Sequence, residues 1–176
     1  MVTQVSKVKL AAAAAIAALT VVALLLGNGP SSRACAAPVE DPLDARSLQH
    51  ALEGTLPTYA TEPPTSGPHQ PGSLPSGVVS APLPGPVQVG ALEAGQVLLQ
   101  HRDLGPDELA SLEALATPLV IPSRETPLVI VAPNPALPSK VVASAWRTRQ
   151  LCDEVDTSTL TRFIKDHAGR HEEHRG

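Results

Sequence analysis

The sequence predicts an α+β fold: a small mixed β-sheet with two or three packing helices, preceded by a Pro-rich irregular segment and one N-terminal apolar helix. Three observations in the 176-residue chain support it. The C-terminal half reads strand, helix, strand, strand, helix, which is typical of a small mixed sheet. Nine of the nineteen prolines fall within residues 57–86, where they exclude a helix or a central strand. The run Leu10 to Leu26 is apolar except for Thr20.

The N-terminal region has the features of a membrane-targeting segment. Residues 1–9 form a basic, cytoplasmic n-region, and residues 10–27 form either a transmembrane anchor or a signal-peptide core. As a helix, the run Leu10 to Leu26 spans about 25 Å, slightly less than a hydrocarbon core of about 30 Å. Lys7 and Lys9 place the N-terminus in the cytoplasm and the remainder outside. We therefore expect a single-pass membrane protein with its domain outside, or a secreted protein cleaved near Ala36.

Charge and composition exclude two classes of partner. The first 36 residues carry +3 and the remainder carries −7, so the exported part would be repelled by nucleic acid. No Lys/Arg cluster favours binding to an anionic lipid surface. Tyr59, Trp146 and Phe163 are the whole aromatic set, too few to stack bases or sugars. The predicted partner is the membrane, which the N-terminal helix would contact. The sequence does not identify a protein or small-molecule partner.

The segments before the domain core differ in composition. Residues 28–56 are polar and acidic and predict a tether, with a short helix as an option from Asp44 to Glu53. Residues 57–86 predict an irregular segment that lies partly against the fold. Within it, the prolines and Gly67 of Pro63 to His69 predict a rigid, ordered turn. This turn would aim His69 as a ligand or a general base, unless the imidazole is merely solvated.

Regular structure is predicted from near Val87 onward. The predicted strands are Val97–Leu99, Leu128–Ala132 and Val141–Arg149. A helix begins at Pro106, with Leu109, Leu112 and Leu115 on one face, and ends at Pro118. A second helix is capped by Asp156 or Thr157, repeats Leu160, Phe163, Ile164 and His167 on one face, and ends at Gly169.

Trp146 is the sole tryptophan, and the predicted strand places it on one face with Val142 and Ser144. With so few rings available, we expect its indole to be mostly buried near the Pro63–His69 turn, with its N–H hydrogen-bonded. The alternative is an exposed edge position that anchors a partner.

Four segments resemble a bacterial domain family of unknown function, DUF3105: PPTSGPH, VGALEAG, VIVAPNPALPSKVVASAW and TRFIKDHAGR. The resemblance covers residues 57–170. It implies an extracytoplasmic domain behind an N-terminal membrane segment, because members of the family typically have one. It implies no particular activity, because none is established for the family.

The resemblance also implies an incomplete metal site. Family members read V-H-x-L-E-H-G where this chain has VGALEAG, and three histidines with one glutamate could bind Zn, Cu, Fe or Ni. This chain keeps His69 and Glu93 and has Gly90 and Ala94 at the other two positions. His69 and Glu93 are therefore the predicted metal residues, and no catalytic residue is predicted. No cofactor is predicted, and a divalent metal is the alternative.

The remaining histidines and the cysteines offer weaker candidates. Residues 171–176 predict a polar His/Glu tail, although His167, His171 and His174 with two glutamates could also bind a metal. His50 and His101 are expected to be isolated and solvent-exposed. Cys35 and Cys152 could form a disulfide outside the cytoplasm if the anchor stays attached. Cleavage after Ala36 would instead remove Cys35 and leave Cys152 as a free thiol.

The sequence thus favours a non-catalytic binding or envelope-associated module. The alternative is a divalent-metal-binding or metal-dependent protein that uses His69 and Glu93, with the C-terminal histidines as further ligands. The two hypotheses differ in whether a third His or Cys lies within about 5 Å of that pair.

Overall fold

The computed structural model describes residues 34–52, 54–72, 74–116 and 128–170. The predicted apolar helix at 10–27, the predicted helix end at Pro118 and the tail at 171–176 lie outside the described residues. Within the described ranges, no helix combines the length and the apolar character needed to cross a membrane.

A six-stranded mixed sheet forms the centre of the domain, in the order β1-β6-β5-β3-β4-β2. The strands are β1 Val39–Glu40, β2 Gly77–Val78, β3 Val97–His101, β4 Val129–Pro133, β5 Val141–Ala145 and β6 Thr148–Cys152. Strands β3, β4 and β2 run parallel, whereas β3, β5, β6 and β1 are joined by antiparallel pairings. The predicted α+β class and mixed sheet are confirmed.

Three helices accompany the sheet: α1 Gly85–Glu93, α2 Pro106–Glu113, which continues into the 3₁₀ turn Ala114–Ala116, and α3 Thr157–His167. Helix α2 begins at the predicted Pro106, and Glu108 accepts a hydrogen bond from the Gly105 N–H at 2.9 Å. The Asp156 carboxylate caps α3, and bonds from Ser158 and Thr159 lower the pKa of Asp156 to about 2. The predicted helix starts are confirmed.

Alternating side chains of the strands build two hydrophobic clusters, one on each face of the sheet. One face carries Val97, Leu99, Val129, Val131, Val141 and Ala143, which pack with Leu112 of α2 and with Leu160, Phe163 and Ile164 of α3. The opposite face carries Leu98 and Ile130, which pack with Ala91 and Leu92 of α1. The period of two along each strand thus determines which helix covers which face.

The predicted single strand Val141–Arg149 is wrong. The chain turns at Trp146 and Arg147, so that β5 and β6 form a tight hairpin in which Ala145 pairs with Thr148. Arg147 adopts a φ of +56°, a left-handed conformation that is uncommon for a residue with a Cβ. Neither turn residue is Gly, Asn or Asp, so the usual signals of a hairpin are missing.

Trp146 is only partly buried, contrary to the expectation that it would be mostly buried. Its position in the turn places it at the end of the sheet, where the indole packs against the cluster formed by Ala91, Leu92, Leu98 and Ile130. The turn reaches the Pro63–His69 segment through the next residue, because the Arg147 N–H donates to the Thr65 carbonyl at 3.0 Å.

The N-terminal part of the predicted tether belongs to the fold. Ala36 donates its N–H to the Leu151 carbonyl at 2.8 Å, and Asp41 donates to Arg147 at 2.7 Å, so residues 34–41 run along β6. Cys35 and Cys152 form a disulfide, and both are buried. The short helix considered from Asp44 to Glu53 is absent from the described part of that range, where residues 45–48 form a turn. Polar composition alone did not indicate this edge pairing.

Candidate functional site

The loop Pro63–His69 is buried along its whole length and is tied to residues 41–47. The Thr65 hydroxyl donates to Asp41 Oδ2 at 2.9 Å. Ser66 Oγ accepts from the Asp44 N–H, and the Gly67 N–H donates to Ser47 Oγ, both at 3.0 Å. These bonds satisfy the polar groups of a buried irregular segment and fix the backbone that leads to His69.

Tyr59 fills the space between this loop and the start of α1. Its hydroxyl donates to the Pro68 carbonyl at 2.6 Å, and burial raises the pKa of Tyr59 to about 12. A Cβ at Gly85 would lie 2.6 Å from the ring, and one at Gly67 would lie 3.0 Å from it. Gly67 also has a φ of +124°, so this position requires glycine on both counts.

His69 and Glu93 lie together, as the family resemblance implied. His69 Nε2 is 2.8 Å from Glu93 Oε2, and the two side chains are 5% and 30% exposed. His69 Nδ1 lies 3.4 Å from the Gly67 carbonyl oxygen. Since both ring nitrogens face oxygen acceptors, the imidazole is held in one orientation between the loop and the C-terminal end of α1. The pair therefore joins the loop to the helix.

His50 lies against His69. The backbones of residues 49–51 and His69 are bridged by two hydrogen bonds, from Ala51 to His69 at 2.8 Å and from His69 to Gln49 at 3.1 Å. The two imidazole rings lie edge to face with centroids 5.1 Å apart. His50 is exposed, as predicted, but it is not isolated. No sequence signal links the two histidines, because both lie in irregular segments.

The described residues contain no group of three or more His, Cys, Asp or Glu side chains arranged to hold a metal ion. His69 contacts Glu93, and the ring of His50 lies against the ring of His69. The rings of His167 and Phe163 pack together, with their centroids 4.4 Å apart. His171 and His174 lie outside the described residues.

His101 departs from its predicted exposure. It ends β3 and is only partly exposed, and burial lowers its pKa. Glu113 acts in the opposite direction and raises that pKa. The position is therefore part of the packing between β3 and α2 rather than a free surface histidine.

The two positions where the resemblance expected histidines are Gly90 and Ala94. A Cβ at Gly90 would lie 2.6 Å from the Gln70 backbone oxygen and 3.3 Å from Leu74 Cδ2. The segment that follows His69 thus lies directly on α1 at Gly90. A larger side chain at this position would require the backbone of Gln70 to move.

Comparison with known proteins supports the resemblance and adds no activity. Residues 50–176 match the family model described as "Protein of unknown function (DUF3105)". A search of curated proteins and a search of solved structures each found no match.

Proposed function

The chain belongs to the DUF3105 family of proteins of unknown function, and we propose that it is a membrane-tethered, extracytoplasmic binding module without catalytic activity. The Cys35–Cys152 disulfide carries the extracytoplasmic part of this proposal. Disulfides persist in oxidising compartments and are rare in the cytosol. The basic and then apolar N-terminal sequence supports the same location.

The position of Cys35 favours an attached anchor over cleavage near Ala36. Cleavage after Ala36 would remove Cys35 and would leave the buried Cys152 without its partner. It would also remove Ala36, which donates its N–H to Leu151 and accepts from Gln150 Nε2 at 2.7 Å. A mature protein that keeps residues 34–36 retains these contacts.

Thiol labelling and N-terminal mass measurement test the location. The full chain, expressed in a bacterial host, should fractionate with membranes, keep its N-terminal segment, and react with a thiol reagent only after reduction. The double variant Cys35→Ser/Cys152→Ser is the matched control for labelling background. A mature form that starts at Ala37, or a Cys152 that is labelled without reduction, would contradict the proposal.

The contacts of His69 support a structural role over a catalytic one. Its Nε2 is engaged by Glu93, and its backbone bridges to residues 49–51. Both contacts fix the buried loop in place. We expect His69→Ala to lower the stability of the domain. Substrate turnover by the purified domain that His69→Ala abolishes would overturn the non-catalytic part of the proposal.

A divalent-metal protein is the second candidate, and one observation favours it. The exposed His50 ring lies 5.1 Å from the ring of His69, which contacts Glu93, so two imidazoles and one carboxylate lie in the same region. Metal analysis of the untagged protein tests it. A stoichiometric metal that is lost in both His50→Ala and His69→Ala would favour this candidate. If the untagged protein contains no such metal, the binding module is favoured.

A further inference from the structure

A concave site lies beside the β5–β6 turn, where two of the family-like segments, VIVAPNPALPSKVVASAW and TRFIKDHAGR, end. It is a pocket of about 250 Å³ whose lining includes Glu40, Trp146, Arg147, His167 and Arg170. These residues come from β1, from the hairpin turn, and from the end of α3 and the residues that follow it. The pocket therefore exists only when three separate parts of the chain have assembled.

The turn that presents Trp146 is held in place from several directions. The Arg147 N–H donates to the Thr65 carbonyl at 3.0 Å, and the Arg147 carbonyl accepts from the Asp41 N–H at 2.7 Å. The Arg147 guanidinium contacts Glu40 Oε1 at 2.6 Å. These bonds retain a left-handed backbone that is unfavourable for arginine and that, in folded proteins, clusters at functional sites.

The charges of the pocket favour an anion. Arg147 is engaged by Glu40, whereas Arg170 forms no ion pair within the part of the chain that the structure describes. The pKa of His167 is lowered, first by burial and then by the charge of Arg170, although Asp166 raises it. The fold thus favours the neutral form of His167, and among the lining side chains the two guanidinium groups outnumber the Glu40 carboxylate. This local excess of positive charge stands out in a domain that is acidic as a whole.

We propose that this pocket binds a small carboxylate-bearing ligand, with the carboxylate at Arg170 and an apolar group against the indole of Trp146. A guanidinium matches the geometry of a carboxylate, and a fixed indole face accepts an apolar group. The pocket is slightly smaller than typical drug-sized sites, which suits a ligand of about a dozen non-hydrogen atoms. The inference rests on the proposed binding role and does not depend on the location of the domain.

Two probes that differ only in charge test the proposal on the full chain. N-acetyl-leucine carries a carboxylate, and N-acetyl-leucinamide carries a neutral amide in its place. Trp146 is the sole tryptophan, so its fluorescence reports directly on the pocket. Calorimetry follows the same titration independently of fluorescence. We expect saturable binding of the acid with a dissociation constant of about 1 mM, and affinity at least ~10-fold weaker for the amide.

Arg170→Gln should weaken binding of the acid by about 10-fold. Arg162→Gln is the matched control, because Arg162 is an exposed arginine of α3 that does not line the pocket, whereas Arg170 follows that helix. It should leave the affinity unchanged. The proposal would be overturned if the acid and the amide bound with equal affinity, or if both variants lost the same affinity for the acid. It would also be overturned if calorimetry showed no saturable heat of binding. None of these results changes the thiol-labelling outcome that tests the location, so the two failures are distinguishable.

Discussion

The backbone oxygen of Gln70 lies so close to Gly90 that a Cβ at position 90 would stand 2.6 Å from it. The Gln70 N–H also donates to the Pro86 carbonyl at 2.9 Å. The segment after His69 is thus fixed to α1 at two points. Position 90 requires glycine because the backbone of Gln70 leaves no room for a Cβ. It is also one of the positions where the family resemblance expected a histidine as a metal ligand.

The first prediction is that Gly90→Ala destabilises the domain. Helix propensity alone would favour alanine by up to ~1 kcal/mol. The clash with backbone should outweigh this and lower the free energy of unfolding by ~1–3 kcal/mol, as overpacking does. Urea denaturation measures the difference.

Gly105→Ala is the matched control for Gly90→Ala. Gly105 has a φ of −70°, and a Cβ there would meet Glu108 Oε2 at an ordinary 3.6 Å. We expect a change within ~1 kcal/mol, because a poorer N-cap offsets the reduced entropy of the unfolded chain. A Gly90→Ala variant as stable as Gly105→Ala would show that the loop moves freely.

The second prediction concerns the energetic coupling between His69 and Glu93. Each single substitution to alanine also removes other contacts, since Glu93 makes further interactions, so a double-mutant cycle is needed. We expect a coupling of ~0.5–3 kcal/mol, because His69 is buried and the two groups are 2.8 Å apart. Thermal or urea denaturation of the four proteins supplies the values.

The exposed pair Lys140–Glu108 provides the comparison for that cycle. Its atoms are 3.3 Å apart, and its side chains are 43% and 36% exposed. Exposed ion pairs contribute little, so its coupling should stay below ~1 kcal/mol. If the His69–Glu93 coupling is no larger, the pair does not hold the loop to α1.

The third prediction is a delayed ionisation of Tyr59. Burial raises its pKa to about 12, and it is the sole tyrosine, so the ultraviolet absorbance of tyrosinate reports on it alone. The neutral phenol is the form that the fold favours. Its stabilising contribution is therefore complete below the unfolded-state pKa of about 10 and is lost as pH rises toward about 12. Ionisation of the folded protein with a midpoint near 10 would refute the burial of this ring.

The fourth prediction is a loss of stability in mild acid that depends on two histidines. Burial lowers the pKa of His101 and of His167, so the fold favours their neutral forms. Their contribution is complete above the unfolded-state pKa of about 6.5 and falls as pH drops through that value toward the lowered folded pKa. Urea midpoints between pH 8 and pH 5 should show the decline, and His101→Gln/His167→Gln should flatten it. An unchanged slope in that variant would assign the decline to other groups.

The sequence predicted the strands that are short apolar runs and the helices that begin at a recognisable first residue. Strands β3 and β4 follow from short apolar runs, and α2 and α3 follow from Pro106 and Asp156 at their starts. Helix α1 was missed, because Pro86 and Gly90 are weak helix formers and six of its nine residues are buried. Its apolar residues therefore show no clear amphipathic period.

Long-range contacts escaped prediction for a different reason. The pairing of residues 34–41 with β6 joins segments more than a hundred positions apart, and nothing local to either one indicates it. His69 and Glu93 were named together only through the family resemblance. The contact of His50 with His69 arises from packing of irregular segments that carry no periodicity. The pocket at Trp146 arises where β1, the β5–β6 turn and the end of α3 meet, and these parts of the chain are distant in sequence.

The Cys35–Cys152 bond also has a mechanical consequence. Without it, tension applied at residue 34 would peel residues 34–41 from β6 one hydrogen bond at a time, because that segment lies at the edge of the sheet. The covalent bond lies one residue after the point of loading and passes the force directly to β6. There the load acts on a strand hydrogen-bonded along its whole length to β5. A domain pulled from its N-terminal side would thus resist unzipping at its outermost strand.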